Sequence, residues 1–168
     1  VDVTEEAVAQ TLEAMKSGAD VIVQGALSHE GWRGRADILR KVEVPSDLGG
    51  WCYEAVDTKL ARETRAGAVL QLCLYSDILG HAQGRSPENM YVVPPWSEFE
   101  PHCYRFADYA AYYRRVKRGL EQSLTVPENG ATYPDPKEHG VICRRQDSGD
   151  KRRRGHAHLC GVAGVAEI

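Results

Sequence analysis

Several features that would assign this chain to a common class are missing from its sequence. No apolar run approaches the roughly 18 residues that a membrane-spanning helix requires, so we expect no membrane partner. No basic segment followed by an apolar one stands at the N-terminus, and no secretory signal is therefore predicted. The chain begins at Val1 instead of Met, which leads us to expect a fragment or a trimmed chain.

Two catalytic motifs are also absent. The chain contains neither G-x-x-x-x-G-K-[ST], which cradles nucleotide phosphates, nor G-x-S-x-G, which carries a serine nucleophile. A small-molecule α/β enzyme is therefore the weakest hypothesis for this sequence.

Cysteine is scarce and is not paired in any recognisable pattern. The five cysteines are far apart, odd in number and include no C-x-x-C motif: Cys52, Cys73, Cys103, Cys143 and Cys160. A disulfide scaffold shows dense, even cysteines in a shorter chain, so we expect a reducing, cytoplasmic compartment. Cys52 and Cys73 lie in apolar segments and are predicted to be small core residues.

The composition is that of an ordinary globular domain. Of the 168 residues, 42% are hydrophobic and 27% are charged. The 21 basic and 24 acidic side chains sum to −3, so the overall charge does not indicate a nucleic-acid binder. Near the C-terminus, Lys137–Arg154 holds seven basic and three acidic residues. We predict a core over residues 1–126 and a Pro-containing, basic extension over residues 127–168.

Hydrophobic periodicity predicts three helices and five strands. The helices are expected at Thr4–Lys16, Arg65–Ala82 and Asp108–Leu124, and the strands at Val21–Leu27, Arg33–Val44, Trp51–Leu60, Met90–Val93 and Cys103–Phe106. The last helix is expected to turn Tyr109, Tyr112, Val116 and Leu120 toward the protein. This order predicts an α/β (α+β) fold, a sheet sandwiched by helices in which the first strands form an antiparallel meander.

Two acids and a lysine are predicted to meet at the end of the third strand. Residues two apart in a strand point to the same face, so Asp57 and Lys59 project together while Glu54 points away, as a surface or supporting residue. Antiparallel pairing with the preceding strand brings Asp37 opposite the Asp57 region. Two carboxylates suit a hard cation such as Mg²⁺, and the lysine suits a water or a phosphate oxygen. The alternative is a structural salt bridge at the sheet edge.

The following helix offers two polar residues that share one face. Gln71 and Tyr75 are four residues apart, so their side chains lie on neighbouring turns. Gln71 is expected to help place the lysine or a water, and Tyr75 to contact the phosphate backbone. The alternative is a surface or half-buried pair on the helix.

Together, Asp37, Asp57-x-Lys59 and Gln71-x-x-x-Tyr75 resemble the PD-(D/E)XK nuclease superfamily, and the last element is similar to its RecB-like branch. The segments GRADIL, YEAVDTKLAR and LQLCLYSDIL carry the resemblance. It implies a central mixed β-sheet flanked by helices, in a restriction-endonuclease-like core.

The resemblance also implies an activity: hydrolysis of DNA phosphodiesters with Mg²⁺ or Mn²⁺, by an exonuclease or an endonuclease with a role in DNA repair. Asp37 and Asp57 would bind the metal with help from the Thr58 carbonyl. Lys59, Gln71 and Tyr75 would complete the catalytic set. A larger parent protein or a helicase is the implied partner.

The chain departs from this family at two places. Relatives carry a histidine on a helix before the first acid, but the upstream histidine here is His29, just before a turn. Some members of the family bind an iron–sulfur cluster through C-terminal cysteines in a C-x-x-C-x5-C pattern. On this tail the pattern would fall on Gly140, Cys143 and Gly149, so two of its three cysteines are missing and no cluster is expected. These departures support the alternative of a catalytically impaired, nuclease-like module that binds nucleic acid or a partner protein.

Basic residues on the last helix form the candidate nucleic-acid contact. They are Arg114, Arg115, Lys117 and Arg118, which either track DNA phosphates or form a solvated face. A zinc site from tail residues such as Cys143 and His156 is disfavoured, because no close cysteine pair precedes it.

Overall fold

A computed structural model of the chain describes residues 3–59, 66–94 and 100–125. Its elements follow in the order α1 (Glu5–Lys16), β1 (Val21–His29), β2 (Trp32–Val42), β3 (Cys52–Thr58), α2 (Ala66–Ala82), β4 (Asn89–Val93), β5 (His102–Arg105) and α3 (Phe106–Thr125). The chain divides into two compact units, and the sheet, α1, α2 and the start of α3 belong to the first, Val1–Val116. The predicted extension at residues 127–168, with its zinc and iron–sulfur positions, lies outside the described residues.

The five strands form one mixed sheet in the order β1-β2-β3-β4-β5. Strands β1, β2 and β3 pair antiparallel as a meander, β3 and β4 pair parallel, and β5 returns antiparallel to β4. A parallel pair requires a crossover connection, which contains α2 here. The predicted α+β class and the predicted meander are confirmed.

Helix α1 anchors the first strand. Its N-cap is Thr4, whose hydroxyl accepts a hydrogen bond from the Ala7 N–H over 3.2 Å. Thr11, in the middle of the helix, is buried, and its hydroxyl accepts from the Ala26 N–H over 3.0 Å. This bond joins the middle of the helix to the middle of β1.

Helix α2 is the most buried helix and is tied to β3 by a glutamine just beyond its end. The Tyr53 N–H donates to Oε1 of Gln83 over 2.8 Å, and Nε2 of Gln83 donates to the Tyr53 carbonyl over 3.2 Å. Gln83 is fully buried, so this pair of bonds fixes the end of α2 at the beginning of β3. Both predicted core cysteines, Cys52 and Cys73, are buried.

The face of α3 that packs on the core differs in part from the prediction, because Tyr109 packs against the core as expected but Tyr112 and Val116 do not. Phe106, Ala110 and Tyr113 are buried, whereas Tyr112 is 60% exposed and Val116 is 39% exposed. Two apolar stripes run along this helix, and periodicity alone did not distinguish them. The hydroxyl of Tyr113 donates to Oδ2 of Asp77 on α2 over 2.9 Å, a tertiary contact that selects the stripe.

Glu54, expected to be a surface or supporting residue, is not at the surface but buried, with 3% exposure. Its carboxylate accepts hydrogen bonds from Arg40, from the backbone and side chain of Asn89, and from the Tyr91 hydroxyl, over 3.0 to 3.3 Å. The Arg40 guanidinium lies 4.2 Å from the centre of the Tyr91 ring. A fully bonded carboxylate can be buried at modest cost, and here it joins β2, β3 and β4.

Within the residues that the structure describes, no helix is long and apolar enough to cross a membrane.

Candidate active site

Two aspartates face each other where β2 and β3 pair. The register joins Ile38 to Val56, so the next position along both strands sets Asp37 opposite Asp57. Asp57 is 3% exposed and Asp37 is half-buried. The strand pairing therefore produces the convergence that the sequence predicted.

The carboxylate of Asp37 is held by β3. Its Oδ2 accepts from the Thr58 N–H over 2.8 Å and from the Thr58 hydroxyl over 2.6 Å. On the other side, Nε2 of Gln24 in β1 donates to its Oδ1 over 3.2 Å. Asp37 is thus fixed by both neighbouring strands.

Lys59 follows directly on β3 and is positioned by its backbone and its side chain. Its N–H donates to the Val93 carbonyl of β4 over 3.2 Å, which keeps it at the edge where the parallel strands end. Its Nζ lies 2.8 Å from Oδ2 of Asp57 and donates to Oε1 of Gln71 over 3.0 Å. The lysine therefore joins the carboxylate on β3 to helix α2.

Helix α2 completes this line of contacts. Nε2 of Gln71 donates to the Tyr75 hydroxyl over 2.8 Å, so both predicted helix residues reach the site. Tyr75 is only 1% exposed and offers no surface to a phosphate backbone, contrary to the role expected for it. Burial raises its pKa to about 12, so the hydroxyl stays protonated at neutral pH. Its place in the site is that of a partner that orients Gln71.

The two aspartates have pKa values that are displaced in opposite directions. Burial raises the pKa of Asp57, and the neighbouring Asp37 raises it further against the effect of Lys59. For Asp37, burial raises the pKa, but hydrogen bonds from Thr58 and Gln24 and the charge of Lys59 outweigh it, and the net pKa is lowered. Opposite shifts in adjacent carboxyls are common where acid–base or metal chemistry takes place.

The donor set suits a hard divalent cation. Both carboxylates supply oxygen ligands, which Mg²⁺ and Mn²⁺ prefer, and a cation between them would offset the repulsion that raises the pKa of Asp57. No group of three or more His, Cys, Asp or Glu side chains gathers for a metal among the described residues. The Thr58 carbonyl and water would have to complete the coordination.

His29 is engaged elsewhere. Its ring stacks on that of His81, at the end of α2, with 3.9 Å between the ring centres. It also lies 3.9 Å from a carboxylate oxygen of Glu30. In the described part of the chain His29 does not join the aspartates in a group of three or more potential metal ligands.

Of the basic residues predicted to contact nucleic acid, Arg114, Arg115 and Arg118 are exposed on α3 and Lys117 is half-buried. Residues that the sequence did not reveal are Gln24 and the hydroxyl of Thr58. Regular alternation along β3 would turn the Thr58 side chain away from that of Asp57, but β3 ends at Thr58, whose N–H and hydroxyl both donate to Asp37.

The opposite pKa displacements predict opposite effects of two aspartate-to-asparagine changes on the metal-free protein. Because the pKa of Asp37 lies below its ordinary 3.8, its ionised form stabilises the fold above that pH, and this contribution is lost as pH falls through the folded-state pKa. The pKa of Asp57 lies above 3.8, so its contribution is lost as pH rises from 3.8 through the folded-state value. At pH 7 we expect Asp37→Asn to destabilise by about 1–2 kcal/mol, and Asp57→Asn to be neutral or stabilising.

Thermal unfolding in EDTA at pH 7 measures this difference directly. Asp20→Asn, at an exposed ion pair with Lys41, serves as the control for loss of a surface charge. Equal destabilisation by Asp37→Asn and Asp57→Asn would contradict the opposite pKa displacements of the two carboxyls.

Comparison with known proteins does not assign the chain to a family: no protein-family model matches it, and neither does any curated protein.

Proposed function

We propose that the chain is a metal-dependent DNA nuclease of the PD-(D/E)XK type, in the RecB-like branch. One observation carries the proposal. An unbroken line of contacts runs from Asp57 through Lys59 and Gln71 to Tyr75, with Asp37 beside it. An ordinary edge salt bridge needs only the first pair, and nothing in it requires a glutamine and a buried tyrosine behind the lysine.

Asp37 and Asp57 would hold Mg²⁺ or Mn²⁺ with the Thr58 carbonyl. When bound, such a cation lowers the pKa of water and offsets the negative charge that develops on a phosphate. The burial of Asp57 and the half-burial of Asp37 strengthen these electrostatic effects, because the local dielectric is lower than that of water.

Lys59 has the geometry of a residue that orients water or stabilises the phosphate. An ammonium has three N–H donors. Nζ of Lys59 forms an ion pair with Asp57 and donates to Gln71, and these two contacts occupy two of the three directions. The third is available for a water attacking phosphorus in line, or for a phosphate oxygen whose charge increases as the 3′ oxygen departs. Gln71 limits the motion of the amine, and Tyr75 limits the motion of Gln71.

The charge on α3 is compatible with DNA as the substrate. Arg114, Arg115 and Arg118 present positive charge on α3, which suits a phosphate backbone although the whole chain carries −3. The proposed setting is cytoplasmic DNA repair, with the chain acting within a larger protein or beside a helicase.

The test is cleavage of end-labelled single-stranded and double-stranded DNA in Mg²⁺, Mn²⁺ or EDTA. We expect cleavage that requires the divalent cation and falls at least about 100-fold in Asp57→Asn. Asp20→Asn, which removes a remote carboxylate also paired with a lysine, should retain activity. Cleavage that survives in EDTA or in Asp57→Asn would refute the proposal.

The stacking of His29 on His81 favours one second candidate. A site that lacks the histidine ligand of related nucleases would suit a nuclease-like module that binds nucleic acid or a partner protein without cutting. DNA binding by the unmodified chain, with no cleavage in either metal and no bound Mn²⁺ in calorimetry, would select this function over hydrolysis.

A further inference from the structure

Gln24 occupies an unusual position in β1. The pairs Val23–Ile38 and Gly25–Ala36 flank it, so Gln24 lies across from Asp37 in the sheet. Its φ is +54°, in the left-handed region that side chains other than glycine rarely adopt. The guanidinium of Arg35 donates to its carbonyl over 3.1 Å, which holds the rotated peptide in place.

A turn does not account for this conformation. Glu30 also has a positive φ, of +48°, but it lies with Gly31 in the tight turn between β1 and β2, where such angles are common. Gln24 lies inside a strand. Glycine would adopt the same backbone without strain, so the glutamine side chain indicates a requirement for its amide.

The amide restricts which oxygen of Asp37 a cation can reach. A carboxylate offers about four lone-pair sites. Thr58 donates twice to Oδ2, and Gln24 donates once to Oδ1. Counting the donors from Thr58 and Gln24, one site on Oδ1 remains.

We infer that Gln24 is a positioning residue, whose amide holds the Asp37 carboxylate so that Oδ1 presents its remaining lone pair to a divalent cation. The inference rests on the proposed function, since it assumes that Asp37 is a ligand. Replacing a residue that orients a metal ligand in this way commonly lowers the metal affinity by about 10- to 100-fold.

Mn²⁺ binding without DNA separates this role from a structural one. Calorimetry is performed on the unmodified chain, on Gln24→Gly, which relieves the backbone and removes the amide, and on Gln24→Met, which keeps the length and removes the donor. Glu30→Gly is the matched control, because it relieves the same kind of backbone strain at the turn. Thermal unfolding of each variant is recorded in EDTA.

We expect Mn²⁺ affinity to fall about tenfold in both Gln24 variants. We expect it to be unchanged in Glu30→Gly, while both glycine variants unfold at the same temperature as the unmodified chain or higher. Unchanged affinity in Gln24→Met, or an equal loss in Glu30→Gly, would overturn the inference and leave the proposed function in place. An unmodified chain that binds no Mn²⁺ would overturn both.

Discussion

Replacing Lys59 with alanine is expected to lower the rate of DNA cleavage by about 10³-fold and to leave Mn²⁺ binding in place. The amine contributes a directed positive charge where the phosphate becomes more negative, and removal of one such donor commonly has an effect of this size. The two carboxylates would remain, with Asp37 still held by Thr58 and Gln24. The loss should therefore appear in kcat more than in cation affinity.

Two further variants test whether the loss of activity is specific to Lys59. Lys41→Ala removes a lysine that is paired with Asp20 outside the site, and it should cleave DNA at a normal rate. Gln71→Leu keeps Lys59 but removes its acceptor on α2, so we expect a smaller loss, about 10-fold to 100-fold. A Lys59→Ala protein that remains folded and cleaves within a few-fold of the unmodified rate would exclude the assigned role.

Replacing Glu54 with alanine is expected to lower the free energy of unfolding by about 3 kcal/mol. The change removes the shared acceptor of Arg40, Asn89 and Tyr91, and it leaves the Asn89 N–H without its partner. Arg40 is partly exposed, so water replaces some of what it loses. Glu54 and Asp57 are both buried acids of β3, but their roles differ. Glu54 stabilises the sheet, whereas Asp57 belongs to the site.

Urea unfolding measures the loss, with Glu13→Ala on the exposed surface of α1 as the control. Mn²⁺ affinity of Glu54→Ala at low temperature, where the protein is folded, should match that of the unmodified chain. A Glu54→Ala protein as stable as the unmodified chain would contradict the structural role, and a folded Glu54→Ala protein that binds no Mn²⁺ would place Glu54 in the functional site.

The local pattern of apolar and capping residues in the sequence was sufficient to predict most of the fold. Thr4 and the spacing of apolar residues predicted α1, and the long apolar periodicity of Val69–Leu79 predicted α2, because burial on one side produces a regular repeat. For α3, the prediction was right for Tyr109 and wrong for Tyr112, since Tyr112 and Tyr113 each begin a plausible apolar stripe. The choice depends on Asp77 of α2, which is distant in sequence.

The residues of the candidate site were likewise predictable only in part. Strand alternation predicted that Asp57 and Lys59 share a face, and helical spacing predicted that Gln71 and Tyr75 meet. Gln24 could not be predicted, because its contact with Asp37 depends on the register of β1 and on a left-handed φ. The burial of Tyr75 also depends on tertiary packing, which spacing within one helix does not report.

Diffraction from crystals grown with Mn²⁺ is the sharpest test of the proposed metal site, because the anomalous signal identifies the ion and its ligands together. We predict one strong peak within coordination distance of a carboxylate oxygen of Asp37 and one of Asp57, with the Asp37 ligand being Oδ1. Fully occupied Mn²⁺ elsewhere, with the two carboxylates unliganded at saturating concentration, would contradict the account.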